Sequence, residues 1–228
     1  MCGRYNIIDD PFTRSLLEEL GIGGRLETHY NIAPTESVPV VRSAVESVAL
    51  ELVQMRWWLI PAWVKEPGTR YSMFNARAET LNESRAFRRP FQHQRCILPA
   101  SSFIEWHQAS ATKEPFLIRA ANSALAFAGL WDLWGQGPES ILSCCIITTA
   151  AVKQFEPVHQ RMPVMLAPDV WRRWLDPQVP ATELMPLLRP AVPDTLEVIP
   201  VDTAINNSRH KVAPQPMAQV PILTIDPC

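Results

Sequence analysis

The chain has 228 residues, 47% apolar and 19% charged, a composition that excludes a disordered protein and supports a sizeable core. Its 22 prolines, about twice the usual 5% share, favour short elements and ordered turns over a helix bundle or coiled coil. A formal net charge of −2 excludes tight, indiscriminate duplex binding through bulk charge.

In chain order, Asp10 is placed to cap a helix that starts at Pro11 and stops at Gly21, with Phe12, Leu16, Leu17 and Leu20 on its apolar face. Val48–Val53 alternates as a strand does, and Arg77–Arg88, free of Gly and Pro, predicts a helix. Short apolar runs bounded by turn or polar residues predict strands at Cys96–Leu98, Phe103–Trp106, Pro115–Ile118, Leu125–Trp131 and Ile141–Thr148. Short helices are expected near Asp169–Leu175 and Thr182–Leu188. Leu196–Val201 is a last strand before a proline-rich tail from about residue 212. Strands that follow one another without regular intervening helices predict a mainly antiparallel α+β arrangement, in a single domain over residues 1–228.

The longest charge-free apolar stretches, Ala120–Trp131 and Ser140–Val152, fall short of the roughly 20 residues of a membrane span. Met1–Tyr5 lacks the order of a signal peptide, so a cytoplasmic protein is expected. Cys2, Cys96, Cys144, Cys145 and Cys228 show no CxxC spacing and indicate neither a disulfide framework nor a metal site. Phosphate-loop, dinucleotide, zincin, serine-esterase and EF-hand patterns are absent, and no cofactor is expected.

Charge is unevenly spread. Residues 56–95 hold 8 basic and 3 acidic side chains, interleaved with Trp57, Trp58 and Trp63. Arginine among aromatics suits a single-stranded nucleic-acid track. A solvated basic face over core tryptophans has the same composition.

Cys2 carries the most chemical information. Removal of Met1 would leave an N-terminal cysteine, with an amine and a thiol on adjacent carbons that are both partly nucleophilic near neutral pH. Such a group attacks acyl carbons, or condenses with an aldehyde through an imine to a thiazolidine; a chance cysteine at position 2 does neither. Glu105 sits in the apolar run Phe103–Trp106, either as a buried acid/base of raised pKa or as an outward-facing strand carboxylate. His159 could shuttle protons or be structural. Asn75 and Arg77, two residues apart, would share a face of an extended segment and suit a sugar and its phosphate, although a helix cap explains Asn75 equally well.

Taken together, Met1–Tyr5, Tyr30–Thr35, Arg56–Trp63, Asn75–Thr80, Arg95–Ala100, Phe103–Trp106, Ala128–Trp131, Thr148–Ala150, His159–Pro163 and a degenerate Ile205–Asn207 resemble, in order, the SOS-response-associated peptidase (SRAP) family. The resemblance implies the SRAP fold, a sandwich- or barrel-like sheet core with short flanking helices. It implies a monomeric protein of the bacterial cytosol, with single-stranded DNA containing abasic sites as partner. Cys2 would form a thiazolidine crosslink with the ring-opened abasic aldehyde, with possible abasic-site lyase activity and autopeptidase action on Met1. Asn75 would orient amine and sugar, Glu105 would serve as acid/base, and His159 would assist ring opening and proton transfer. Arg77 and Arg161 would hold phosphates, with Arg4, Trp57, Trp58 and Thr149 as further DNA contacts. The chain departs from the family pattern where Trp58 replaces a glycine and where Ser101-Ser102 replaces Asp-Gly. An N-terminal-nucleophile peptidase or amidase, or a non-covalent single-stranded or modified-DNA binding module, are the competing expectations.

Overall fold

The computed structural model describes residues 2–44, 49–68, 71–107, 113–218 and 220–228. Its strands are β1 (Arg4–Ile7), β2 (His29–Ile32), β3 (Ser37–Ser43), β4 (Leu50–Trp57), β5 (Asn75–Arg77), β6 (Arg95–Ala100), β7 (Ser102–Trp106), β8 (Pro115–Ala120), β9 (Leu125–Trp134), β10 (Ile141–Ala150), β11 (Arg161–Pro163), β12 (Leu196–Pro200) and β13 (Leu223–Ile225). The helices are α1 (Pro11–Glu19), α2 (Arg88–His93), α3 (Trp171–Leu175) and α4 (Ala181–Leu184). No helix among the described residues is long and apolar enough to cross a membrane.

One sheet runs β13-β12-β8-β7-β1-β2. The other runs β11-β10-β4-β3-β6-β9 and curls into a partial barrel where β9 also pairs with β10. Most pairings are antiparallel, as the strand pattern predicts. The exceptions are β4 and β5, which both lie parallel to β10. Arg56 and Trp57 face Ser143 and Cys144, and Asn75–Arg77 then take Ile146–Thr148. The chain thus leaves the sheet after Trp57 and rejoins the same line at Asn75.

An aromatic cluster joins the sheets. Tyr5 meets Trp57 edge-on at 5.1 Å and Phe127 at 6.3 Å, and Phe103 meets Phe127 at 5.8 Å. All four are fully buried, and each contributes on the order of 2–3 kcal/mol of apolar burial. The chain changes sheets between β6 and β7, at the Ser101-Ser102 departure. There the hydroxyls replace what a special turn would supply: Ser101 Oγ accepts from Ile8 N at 2.8 Å, and Ser102 Oγ accepts from Asn6 Nδ2 at 2.8 Å.

The first helix forms as predicted. Asp10 and Thr13 make a capping box, Pro11 opens the helix, and Gly21 leaves it at φ +76°. All five apolar runs are strands, and the two short late helices are present, each part 3-10. The helix expected at Arg77–Arg88 is corrected. Arg77 ends β5, Ala78–Thr80 is one 3-10 turn, and α2 begins only at Arg88. Pairing with β10 draws Asn75–Arg77 into extended backbone and overrides local helix preference. Val48 lies outside the described residues.

Arg95, in the basic block, is structural. Its guanidinium donates to the carbonyls of Phe91, Gln92, Trp174, Asp176 and Val179, closing the C-terminal ends of α2 and α3. Burial lowers its pKa to about 10, so it stays charged at neutral pH.

Candidate active site

Pairing of β1 with β7, Arg4 opposite Ile104, brings the start of the chain alongside Glu105. Cys2 is fully buried, and Glu105 is 2% exposed. Asn75, where β5 opens, reaches across from the other sheet: its Nδ2 donates to the Cys2 carbonyl at 2.9 Å. The Asn75 Oδ1 is buried without a hydrogen-bond partner among the described residues, an acceptor that can take a ligand proton.

Burial, with the Glu105 charge as a second cause, pushes the Cys2 thiol well above the ordinary thiol range. Burial also pushes the Glu105 carboxyl up to about 7. Near neutral pH it is therefore poised both to give and to take a proton. Both faces of β7 are covered, and Glu105 is buried with its neighbours Phe103 and Ile104 rather than turned out to solvent.

His159 lies just before β11. Its Nδ1 lies 2.8 Å from the Arg161 backbone nitrogen and 3.0 Å from the Arg161 carbonyl oxygen, which fixes the ring against the start of that strand. Burial lowers its pKa and keeps it neutral.

The expected DNA contacts divide. Arg77 is exposed, two residues from Asn75 on β5, and makes no ion pair among the described residues. Arg161 is engaged instead: its Nη1 and Nη2 grip Glu79 at 2.6 and 3.0 Å, and Nη2 also donates to the Thr148 carbonyl at 2.6 Å. Burial, the largest single influence, would raise the Glu79 pKa, but the Arg161 hydrogen bonds and charge together with backbone hydrogen bonds hold the carboxyl below its ordinary value. Arg161 is thus held in a bidentate ion pair with Glu79. Arg4 is half-buried. It donates to Asn31 Oδ1 at 2.6 Å and to the Ile205 carbonyl at 3.2 Å, which gives the degenerate Ile205–Asn207 segment its local role.

Trp57 is corrected from a base-stacking residue to a core residue. It is fully buried, with Nε1 donating to the Phe74 carbonyl at 2.9 Å. Thr149, at 4% exposure, likewise offers little surface to a strand. Trp58 is half-buried and tilted against Phe74 at 5.5 Å. The accessible tryptophan is Trp63, 49% exposed, with the Arg85 guanidinium 3.9 Å from its ring centre. Sequence reasoning placed both in the basic block without singling them out. The inward phase of Met55 and Trp57 on β4 was the available signal that Trp57 is not the exposed one.

Among the described residues, no group of three or more His, Cys, Asp and Glu side chains is arranged to hold a metal ion. What the site offers is a thiol, a carboxyl that titrates near neutrality and an open amide acceptor, with His159 two residues before Arg161, which pairs with β10 four residues beyond the partner of Asn75.

Residues 1–208 match the SOS response associated peptidase (SRAP) family. The chain belongs to that family. This SRAP chain is 38% identical over 221 residues to the abasic site processing protein YoaM of Bacillus subtilis, across 93% of this chain and 96% of that protein. It is 31% identical to the abasic site processing protein HMCES of Xenopus tropicalis, across 90% of this chain and 69% of that protein. A crystal structure of a protein from Bordetella bronchiseptica resembles this SRAP chain with a TM-score of 0.75 at 26% identity, covering 88% of this chain and 100% of that one.

Proposed function

We propose that this SRAP protein processes abasic sites in DNA, capturing them covalently through Cys2 once Met1 has been removed. The observation that carries the proposal is the buried Glu105 beside Cys2, with a carboxyl pKa of about 7. Family membership and the names of its relatives support the substrate class.

The freed α-amine adds to the aldehyde carbon of the ring-opened abasic sugar. His159 moves the amine proton to the new oxygen, giving a neutral carbinolamine, and also assists opening of the sugar. Protonated Glu105 gives its proton to the carbinolamine hydroxyl, which leaves as water and yields an iminium. The thiol then adds to the iminium carbon, forming the C–S bond, and its proton returns to the Glu105 carboxylate. Aldehyde and aminothiol thereby become a thiazolidine and one water, and the catalyst is restored. Because the thiol pKa is raised, a base is needed at the ring-closing step. The same raised pKa makes a thiolate-first peptidase the poorer reading. Lyase activity would follow if the iminium loses a proton from the sugar before the ring closes.

Arg77 and the Arg85–Trp63 pair would hold the strand. A single strand avoids the unstacking needed to extrude a sugar from duplex, so it is the preferred substrate. The test is incubation of the mature protein with oligonucleotides that contain or lack an abasic site, followed by a denaturing gel. An adduct on the abasic strand alone is expected. Salt-sensitive binding of both strands without an adduct would mark a non-covalent module, and amide turnover without DNA binding would mark a peptidase.

A further inference from the structure

The basic block does not act as one surface. Arg95 is buried, Arg77 lies at the site and Arg85 covers Trp63. Arg56 and Arg89 face elsewhere: with Arg42, Gln54, Gln94 and Trp131 they line an open groove of about 880 Å³ on the flank of the barrel. Arg42 is 8% exposed, its Nε bonds Glu51 at 2.8 Å, and its guanidinium lies 4.2 Å from the Trp131 ring centre. Its Nη1 has no hydrogen-bond partner among the described residues. Arg56 makes no ion pair among the described residues. Arg89 Nη1 donates to Gln94 Oε1 at 2.9 Å and stands 3.7 Å from Asp132. Asp132 also lines the groove, and its oxygens accept from the backbone of Ala62 and Leu133 and from Gln94; with Glu51 on Arg42, two carboxylates stand against three guanidinium groups.

The groove is tied to the active site through β10. Arg56 sits opposite Ser143 and Asn75 opposite Ile146, three residues further on, roughly 10 Å along the strand and on the opposite face of the sheet. The loop between them is held down by Ile60 N on Ser143 Oγ and Ala62 N on Asp132 Oδ2, and it carries Trp63. Ala62 lines the groove, so this loop brings Trp63 and the Arg85 cation over its ring to the groove's edge.

We propose that this groove binds the phosphodiester backbone of the single DNA strand that leaves the captured lesion. The inference rests on the abasic-capture reading for the identity of the strand, but not for its chemistry. Separated guanidinium groups in an open groove suit a ligand with repeated, spaced negative charges. A single phosphate would reach one of them at a time.

The test compares the full-length mature protein with its Arg56→Gln/Arg89→Gln variant. Both are measured on a short abasic oligonucleotide confined to the Cys2 site, a long one with flanks, and a long intact strand. For the variant we expect at least tenfold weaker binding of both long strands at low salt. The slope of log affinity against log salt should fall by about 1.4, or 0.7 per lost contact. Crosslinking of the short oligonucleotide, and of the long one at saturation, should be unchanged. Unchanged slope and affinity on the long strands would overturn the proposal, as would an equal loss on the short one. So would millimolar inorganic phosphate abolishing the difference between the two proteins, which would mark a free-phosphate site. If no abasic strand crosslinks to either protein while the slope difference on intact DNA persists, the groove stands and the capture reading fails.

Discussion

Glu105 is held in a place that disfavours its charge. Its pKa rises from 4.5 to about 7 through burial, so the folded state binds its proton more tightly than the unfolded chain does. A carboxyl raised in this way gives stability that is complete below pH 4.5 and lost as pH climbs through 7, on the order of 3 kcal/mol. Glu105→Gln, which keeps the neutral shape, should therefore unfold at higher denaturant than wild type above pH 7 and equally at pH 4; equal midpoints at both pH values would contradict the assignment. The same variant should slow crosslinking by about 10²–10⁴-fold. Wild type should slow above pH 7 as the carboxyl gives up its proton, and the variant should lose that fall. At this scale the sequence was informative wherever a residue's own neighbours set its environment. Cys2 stood out by position and Glu105 by its apolar run. The Arg161–Glu79 pair did not, because it joins residues 82 apart. Arg77→Ala should flatten the salt dependence of DNA binding by about 0.7, while Arg161→Ala, which breaks an existing pair, should change stability more than slope. Equal slope changes would return Arg161 to the phosphate contacts.

At the scale of elements, β9 and β10 are fixed by close packing around Gly129. A Cβ there would lie 2.3 Å from Leu98 Cδ1 and 2.9 Å from both the Cys145 carbonyl and Cys96 Sγ. Gly129→Ala should cost about 1–3 kcal/mol in equilibrium unfolding, and a neutral result would mean the strands part more easily than this packing allows. Arg95→Gln should cost on the order of 3 kcal/mol, because it strips a charged donor from carbonyls that end two helices. The longer strands were legible because a run bounded by turns has one reading. The short strands β1, β2, β5, β11 and β13 were not, since so short a segment shows no period and exists only through its partner, and neither was the seven-residue β3, which Pro39 interrupts. That is also why Arg77–Arg88 misleads: its helix preference is local, and its partner β10 lies some seventy residues downstream.

At the scale of the whole molecule, the site is assembled from both sheets. The first sheet supplies Cys2 and Glu105, and the second supplies Asn75 and the approach to His159. Neither composition nor local pattern contains that meeting; the ordered family motifs do, because they preserve residues that meet only after folding. Single-stranded abasic DNA should crosslink faster than the same site in full duplex, and equal rates would argue against a strand held by Arg77 and Trp63. The central claim is that amine and thiol of Cys2 act in sequence on one carbon. It is tested most directly on a denaturing gel with one abasic oligonucleotide and three proteins: wild type, Cys2→Ser, and a form whose N-terminal tag blocks the amine. Wild type should leave a heat-stable adduct. Cys2→Ser should leave none without borohydride but a trapped imine with it, and the tagged protein should leave none in either case. A heat-stable adduct from the tagged protein would contradict the account, because a thiol alone gives only a labile hemithioacetal.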